Sequence, residues 1–240
     1  MQGLQRLPGR RTAPPNGRRL AIVLTFAMLT GGMVPASAQV YPAECGAPAP
    51  VRGDYIGDRR MLELVERFHF TARVEQLVGG QGGGRIGSDI DYTLRSFPNH
   101  HRALVAMRRL AERDRADPPL GASTTVECYY RRAVVFREDD TVARMLYADF
   151  LIDRGRRDDA ASQLKLAEHH AADNPLTIYN LGLLYAKLKD HDTALALAHR
   201  ALALGFPRTG LRETLAAAGA WRDPPEAAAG EAPTKPPRAD

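Results

Sequence analysis

The sequence predicts an all-helical chain, and three observations carry that prediction. From residue 58 to residue 221 apolar residues recur at three- and four-residue spacing, the period of a helix with one buried face. Nowhere does the chain show the strand, helix, strand rhythm that a parallel sheet needs. Near its end, small residues recur at a 34-residue interval, the length scale of a stacked helix hairpin.

Before the helices comes a segment of different character. Residues 1–38 carry Arg6, Arg10, Arg11, Arg18 and Arg19, then an apolar run from Leu20 to Val34, then Ala36-Ser37-Ala38. Basic leader, apolar run and small residues at the break are the order of a secretory signal peptide. A retained anchor is the alternative, but the run falls short of the about twenty residues a span wants. Cleavage after Ala38 changes the charge balance. The chain has 33 basic and 28 acidic residues, and the leader holds five arginines and no acid, so the mature part balances at 28 against 28. That balance leaves no excess from which to build the basic stripe nucleic acid requires. A periplasmic or secreted protein, with no membrane insertion after cleavage, is expected.

Cys45 and Cys128 are the two cysteines. In an oxidising compartment they are expected to pair, tying the N-terminal arm to a helix far along the chain. A thiol nucleophile is the alternative. Glu44 precedes Cys45, where a lipoprotein signal needs a small residue.

Residues 39–97 read as an N-terminal arm and short helices. Pro42, Pro48 and Pro50 keep the arm extended. Asp58 is expected to cap a helix through Phe68, with Met61, Leu62, Val65 and Phe68 at helical spacing. Thr71 caps a second helix to Val78, stopped by Gly79 and Gly80. Gly82, Gly84 and Gly87 have G-x-G-x-x-G spacing, but no strand precedes them, so a flexible loop is expected and not a phosphate cradle. Ser88 or Asp89 caps the next helix, and Pro98 ends it.

Residues 98–221 read as a repeat array with a capping helix. Ala103, Leu104, Met107, Leu110 and Ala111 mark one helix; Tyr129, Ala133, Val134 and Phe136 mark another, with Thr124 and Glu127 at capping-box spacing. Later, Leu181 and Gly182 fall over Tyr147 and Ala148, Ala194 over Ala160, Ala201 over Ala167, and Lys189 over Gly155. Leu211, Leu215 and Ala218 share a face of a last helix, with Trp221 to cover the end. Residues 222–240 lack the large apolar groups that would offset the entropy of ordering, so disorder is expected there.

Leu181, Gly182, Tyr185, Ala194, Ala198 and Ala201 resemble the tetratricopeptide repeat family. Ala148, Gly155, Ala160, Leu164 and Ala167 form a second copy, with Arg144 where an aromatic is usual. A third copy with an inserted loop spans about Pro98 to Asp140. The resemblance implies about three helix hairpins whose first helices line a concave groove for a peptide or partner helix. Carried onto this sequence, the groove residues are Met145, Asp149 and Asp153 from one unit and Tyr179, Asn180, Leu183 and Lys187 from the next. Asn180 matches one position of the family's carboxylate clamp, while Leu146 stands at its equivalent.

No motif of enzyme chemistry appears. His100-His101 and His169-His170 are adjacent pairs that diverge on a helix and cannot chelate as an i, i+4 pair would. Asp89 and Asp91 lack the glycine and glutamate of a calcium loop. No catalytic, cofactor or metal site is expected, and binding remains. The reading is an exported adaptor for a protein or peptide partner. An envelope assembly or export factor is one alternative; an exported enzyme using Asp89, Asp91, His100 or His101 is another.

Overall fold

The structure, a computed structural model, describes residues 43–46 and 50–224. The expected leader, residues 39–42 and 47–49 of the arm, and the tail from residue 225 lie outside the described residues. Among the described residues the chain forms ten α-helices and no strand, as the sequence predicts.

Two hairpins set the pattern. Numbering the helices along the chain, α6 (Thr141–Asp153) packs along α7 (Arg157–His170), and α8 (Pro175–Lys187) along α9 (His191–Ala203). The connection in each is a tight turn between Asp153 and Arg157 or between Lys187 and His191, which leaves only the antiparallel arrangement. The first residues of α6 and α8, Thr141 and Pro175, stand one repeat interval apart, and so do those of α7 and α9, Arg157 and His191. The caps repeat with the same offset. Asp140 accepts from the Ala143 amide and Asn174 from the Thr177 amide, each satisfying a donor that a first turn leaves open, worth about 1 kcal/mol.

The recurring small residues sit where helices meet. Ala148, Ala160, Ala167, Ala194 and Ala201 are all buried, none more than 2 % exposed. Gly182 shows why they must be small: a Cβ there would lie 2.4 Å from Leu211 Cδ2 and 3.4 Å from Leu197 Cβ. That is the point where α8 meets both α9 and α10 (Gly210–Ala217). Leu164, Ile178, Leu181 and Leu215 fill the spaces between, each fully buried and contributing about 2 kcal/mol.

The turns also correspond. Gly155 has φ 73° and its counterpart Lys189 has φ 63°, and in each turn the next amide bonds back at 2.9 Å, Arg156 to the Leu151 carbonyl and Asp190 to the Tyr185 carbonyl. Glycine takes this left-handed conformation freely, whereas a residue with a Cβ is strained by about 1 kcal/mol. Lys189→Gly is therefore expected to stabilise the fold by about 0.5–1 kcal/mol, seen as a higher urea midpoint at unchanged slope. A lower midpoint would contradict this geometry.

α4 (His101–Asp114) and α5 (Val126–Phe136) precede these hairpins, joined by residues 115–125. That longer loop sets the start of α4 more than one repeat interval ahead of α6 and hides the register. Asp91 pins the loop, accepting from the Ser123 hydroxyl at 2.5 Å, the Ser123 amide at 3.2 Å and the Tyr129 hydroxyl. At the other end Leu211 and Leu215 of α10 are buried, and Trp221 stands edge-on to His199 at 5.3 Å between ring centres. Ala218 does not join that face, because the helix stops at Ala217 and leaves it exposed.

The N-terminal elements depart most from expectation. α1 (Leu62–His69) begins after Met61, because the Asp58 carboxylate is engaged by Arg60 at 2.9 Å instead of capping a helix. α2 (Ala72–Glu75) is a single turn, cut short by the left-handed Leu77 at φ 59°. α3 (Ile86–Ser96) starts ahead of Ser88, so Gly87 lies inside it, where a Cβ would sit 2.4 Å from the Leu120 carbonyl oxygen. Asp89 turns inward and accepts from the Gln81 amide at 2.8 Å. Thr125, not Thr124, caps α5.

Cys45 and Cys128 are bonded, across 83 residues of sequence. Arg131 pairs with Glu44, and Arg132 donates to the Cys45 carbonyl, so these contacts join the bridge in fastening the arm to α5. No helix among the described residues is long and apolar enough to cross a membrane.

Candidate functional site

α4, α6 and α8 lie side by side: α4 touches α6 and α6 touches α8. Side chains at positions three, four and seven apart on each helix therefore meet across a shared face. The face divides into a charged half and an apolar half.

At the C-terminal ends of these helices an ion-pair ladder crosses all three. Arg108 of α4 donates to Asp149 at 2.7 Å and to Asp153, both on α6. Lys187 of α8 approaches the same two carboxylates at 2.5 Å and 2.6 Å. Burial alone would lower the Lys187 pKa and raise that of Asp153, but the mutual hydrogen bonds outweigh it and shift both the other way. Beneath the ladder opens a cleft of about 320 Å³ with Phe150 in its floor and the Arg154 guanidinium 4.2 Å from the Phe150 ring centre.

Toward the N-terminal ends the same face turns apolar. Val105, Ala106, Val142 and Leu146 line a groove of about 280 Å³ between α4 and α6, with Arg102, Arg109 and Glu75 at its rim. Leu176 of α8, one repeat after Val142, is about half exposed at 48 %, and Asn180 and Leu183 are half-buried beside it in register. Arg102 is held by Glu75, whereas among the described residues Arg109 has no acid within ion-pair distance. Val142 is likewise exposed, whereas Val105 and Leu146 are partly buried and Ala106 is buried.

The structure distributes the sequence-predicted groove residues between these halves and the core. Asp149, Asp153 and Lys187 form the ladder; Asn180 and Leu183 lie on the open face. Met145 and Tyr179 are buried, the Tyr179 ring packing 5.0 Å from Phe206. They hold neighbouring elements together and are not open to a partner. Val105, Arg109, Val142 and Leu146 are not among the groove residues that the family pattern marks. Val142 and Leu146 are legible as the positions one repeat before Leu176 and Asn180; the α4 residues are hidden by the longer loop. Arg144, where the family pattern wants an aromatic, is buried with its guanidinium satisfied by the Glu138 carbonyl at 2.7 Å and Gln163 at 2.9 Å.

The histidines and acids singled out for chemistry are spread among separate partners. Asp89 faces His69 at 3.1 Å, while Asp91 is engaged by Ser123, Tyr129 and Arg95. His101 bonds Asp140 at 2.9 Å, and Asp140 also accepts from Asn99 at 2.9 Å. His100 is fully buried at the start of α4. Its Nδ1 accepts from the Ala103 amide at 3.2 Å, so Nε2 carries the hydrogen and donates to Glu66 at 3.0 Å. No group of histidine, cysteine and carboxylate side chains among the described residues has the arrangement of a metal site.

Burial, and then the charge of Arg102, lower the His100 pKa from 6.5 to about 3. The folded chain resists a proton that the unfolded chain accepts, so stability falls as pH drops from 6.5 toward 3, by up to about 1.4 kcal/mol per pH unit. Asp54 and Asp140 also titrate below their ordinary value of 3.8, where hydrogen bonds outweigh burial, so their loss is confined to the acid end of that window. His100→Asn keeps a capping side chain and is expected to flatten the stability profile between pH 6.5 and about 4. An unchanged slope in urea titrations would contradict the neutral cap.

Set beside protein-family models, curated proteins and solved structures, the chain matches none of them.

Proposed function

We propose that the chain is an exported helical-repeat adaptor that holds a protein or peptide partner on the shared face of α4, α6 and α8. One observation carries the reading: α4, α6 and α8 align and present an apolar strip along one face, in which Val142 and Leu176 are exposed and Val105, Leu146 and Leu183 partly so, with cations at its rim. Such a face, apolar at the centre and charged at the margin, suits a partner helix or extended segment that brings apolar anchors flanked by acids. The ladder keeps the three helices in register beneath the partner. The shared interval of helix starts, caps and turns supports kinship with the tetratricopeptide repeats. The disulfide and the basic, apolar leader support a periplasmic or secreted address.

Affinity purification from the envelope fraction tests the reading. Val142→Asp and Leu176→Asp are expected to abolish recovery of a co-purifying partner by placing a charge against its apolar anchors. Leu166→Asp, at a comparably exposed apolar position on α7, is the control and should leave recovery intact. Equal recovery with all three variants would overturn the assignment of the face.

A further inference from the structure

Large apolar side chains left open to solvent also concentrate between Val51 and Phe68, away from the face just described. α1 has two apolar stripes. Leu62 and Val65 turn inward to Phe97, forming a small cluster separate from the main core. Met61, Leu64 and Phe68 are 36 %, 47 % and 50 % exposed, at the spacing of one helical face. Between Leu64, Val65, Phe68 and the Tyr92 ring lies a cavity of about 230 Å³, with Arg52 and His69 at its mouth.

Its back wall is held firmly. His69 stacks on Tyr92 at 3.9 Å between ring centres, and Arg52 and Arg95 lie 5.8 Å and 5.7 Å from the same ring centre. Two of these three basic groups have acid partners: His69 faces Asp89 at 3.1 Å and Arg95 faces Asp91 at 2.8 Å. Arg52 differs. Among the described residues no carboxylate lies within ion-pair distance of its guanidinium, so the mouth of an apolar hollow carries an uncompensated positive charge.

We propose that this cavity docks a segment of a partner protein that inserts one large apolar side chain against Leu64, Phe68 and Tyr92 and sets a carboxylate on Arg52. A half-exposed apolar hollow gains from burial, and the cation at its lip selects the neighbour of the inserted residue. The chain's own residues 225–240 hold no apolar side chain larger than proline and supply no anchor. A membrane surface would call for apolar groups that project, whereas these line a hollow.

Selection of a random peptide library on the purified full chain, followed by fluorescence anisotropy with the enriched peptides, tests the site. Enriched peptides are expected to share a large apolar residue next to Asp, Glu or a free C-terminal carboxylate. Phe68→Ser should weaken them by about thirtyfold, the loss typical of a central anchor. Arg52→Gln should weaken them by about threefold, and that loss should vanish when the peptide's acid is replaced by its amide. Both side chains lie outside the core, and an unchanged circular dichroism melt confirms that the variants fold. Val142→Asp, on the α4–α6–α8 face, should leave this binding untouched, which separates failure here from failure of the adaptor reading. The proposal is overturned if no peptides enrich, if their binding ignores Phe68→Ser and Arg52→Gln, or if it falls with Val142→Asp. It is equally overturned if phosphatidylglycerol vesicles, and not peptides, retain the chain through Phe68.

Discussion

Replacing both cysteines with serine is expected to destabilise the protein by about 4.5 kcal/mol, the chain-entropy value for a loop of 83 residues. That is a large share of the about 5–15 kcal/mol a folded domain normally has. The loop is long because the bridge joins the arm to α5 past four intervening helices. Other ties among the described residues at this junction include the exposed ion pair of Arg131 with Glu44 and the hydrogen bond that Arg132 donates to the Cys45 carbonyl, neither of which closes a covalent loop. Without the bridge the arm is therefore expected to open first at residues 43–46, exposing them to limited proteolysis before global unfolding, while Arg52, Asp54 and Tyr55 stay tied to Ser96, Asn99 and Arg137. Urea denaturation of the oxidised chain and the double-serine variant measures the difference. A change below about 1 kcal/mol would mean that the bridge adds little to these ties.

Asp140→Ala is expected to cost about 3–4 kcal/mol, far more than the about 1 kcal/mol of an ordinary cap. The Asp140 carboxylate caps α6 through the Ala143 amide at 2.9 Å and also accepts from Asn99 and His101, both at 2.9 Å. Asn99 is fully buried, and its side-chain nitrogen divides its two hydrogens between Asp140 and Asp54, the latter at 2.8 Å. Removing the carboxylate strands one of those hydrogens in the interior and leaves the His101 ring without its partner. Asp140→Asn separates the contributions. It keeps a capping oxygen but presents an amide to two existing donors, so its cost should fall between wild type and alanine. Equal stability of the alanine and asparagine variants would contradict the hub role.

The same junction shows what the sequence conveys and what it hides. Helical spacing and the 34-residue recurrence define α6 to α9 closely, because there local propensity, caps and packing agree. Ala148 and Gly182, equivalent in sequence, are both buried, and Gly155 and Lys189, likewise equivalent, share a left-handed φ. The N-terminal region is less legible because tertiary partners override local signals. Asp58 has the character of a cap and is taken by Arg60; Asp89 has it too and is drawn inward to Gln81 and His69. His100 has none of it and caps α4, which only burial and the Glu66 contact make favourable.

Side-chain direction accounts for the rest. Met145 and Tyr179 occupy positions that a family pattern assigns to a groove, yet both are buried. Val142 and Leu146 sit on neighbouring turns of α6 and line the groove, Val142 exposed and Leu146 partly buried against the core. Sequence spacing places a residue on a helix, but which side of it stays open depends on the crossing of the next helix. The place of Arg108 in the ladder is out of reach of sequence, since Arg108 lies more than forty positions from Asp149 and Asp153 across the irregular loop.

The central claim is that small side chains let successive hairpins nest and leave the α4–α6–α8 face free for a partner. Photo-crosslinking in intact cells tests it most directly, with a photoreactive residue at Val142, at Leu176 or at Leu166. The account predicts one common adduct from positions 142 and 176 and none from position 166. Adducts that form equally at all three, or at Leu166 alone, would contradict it.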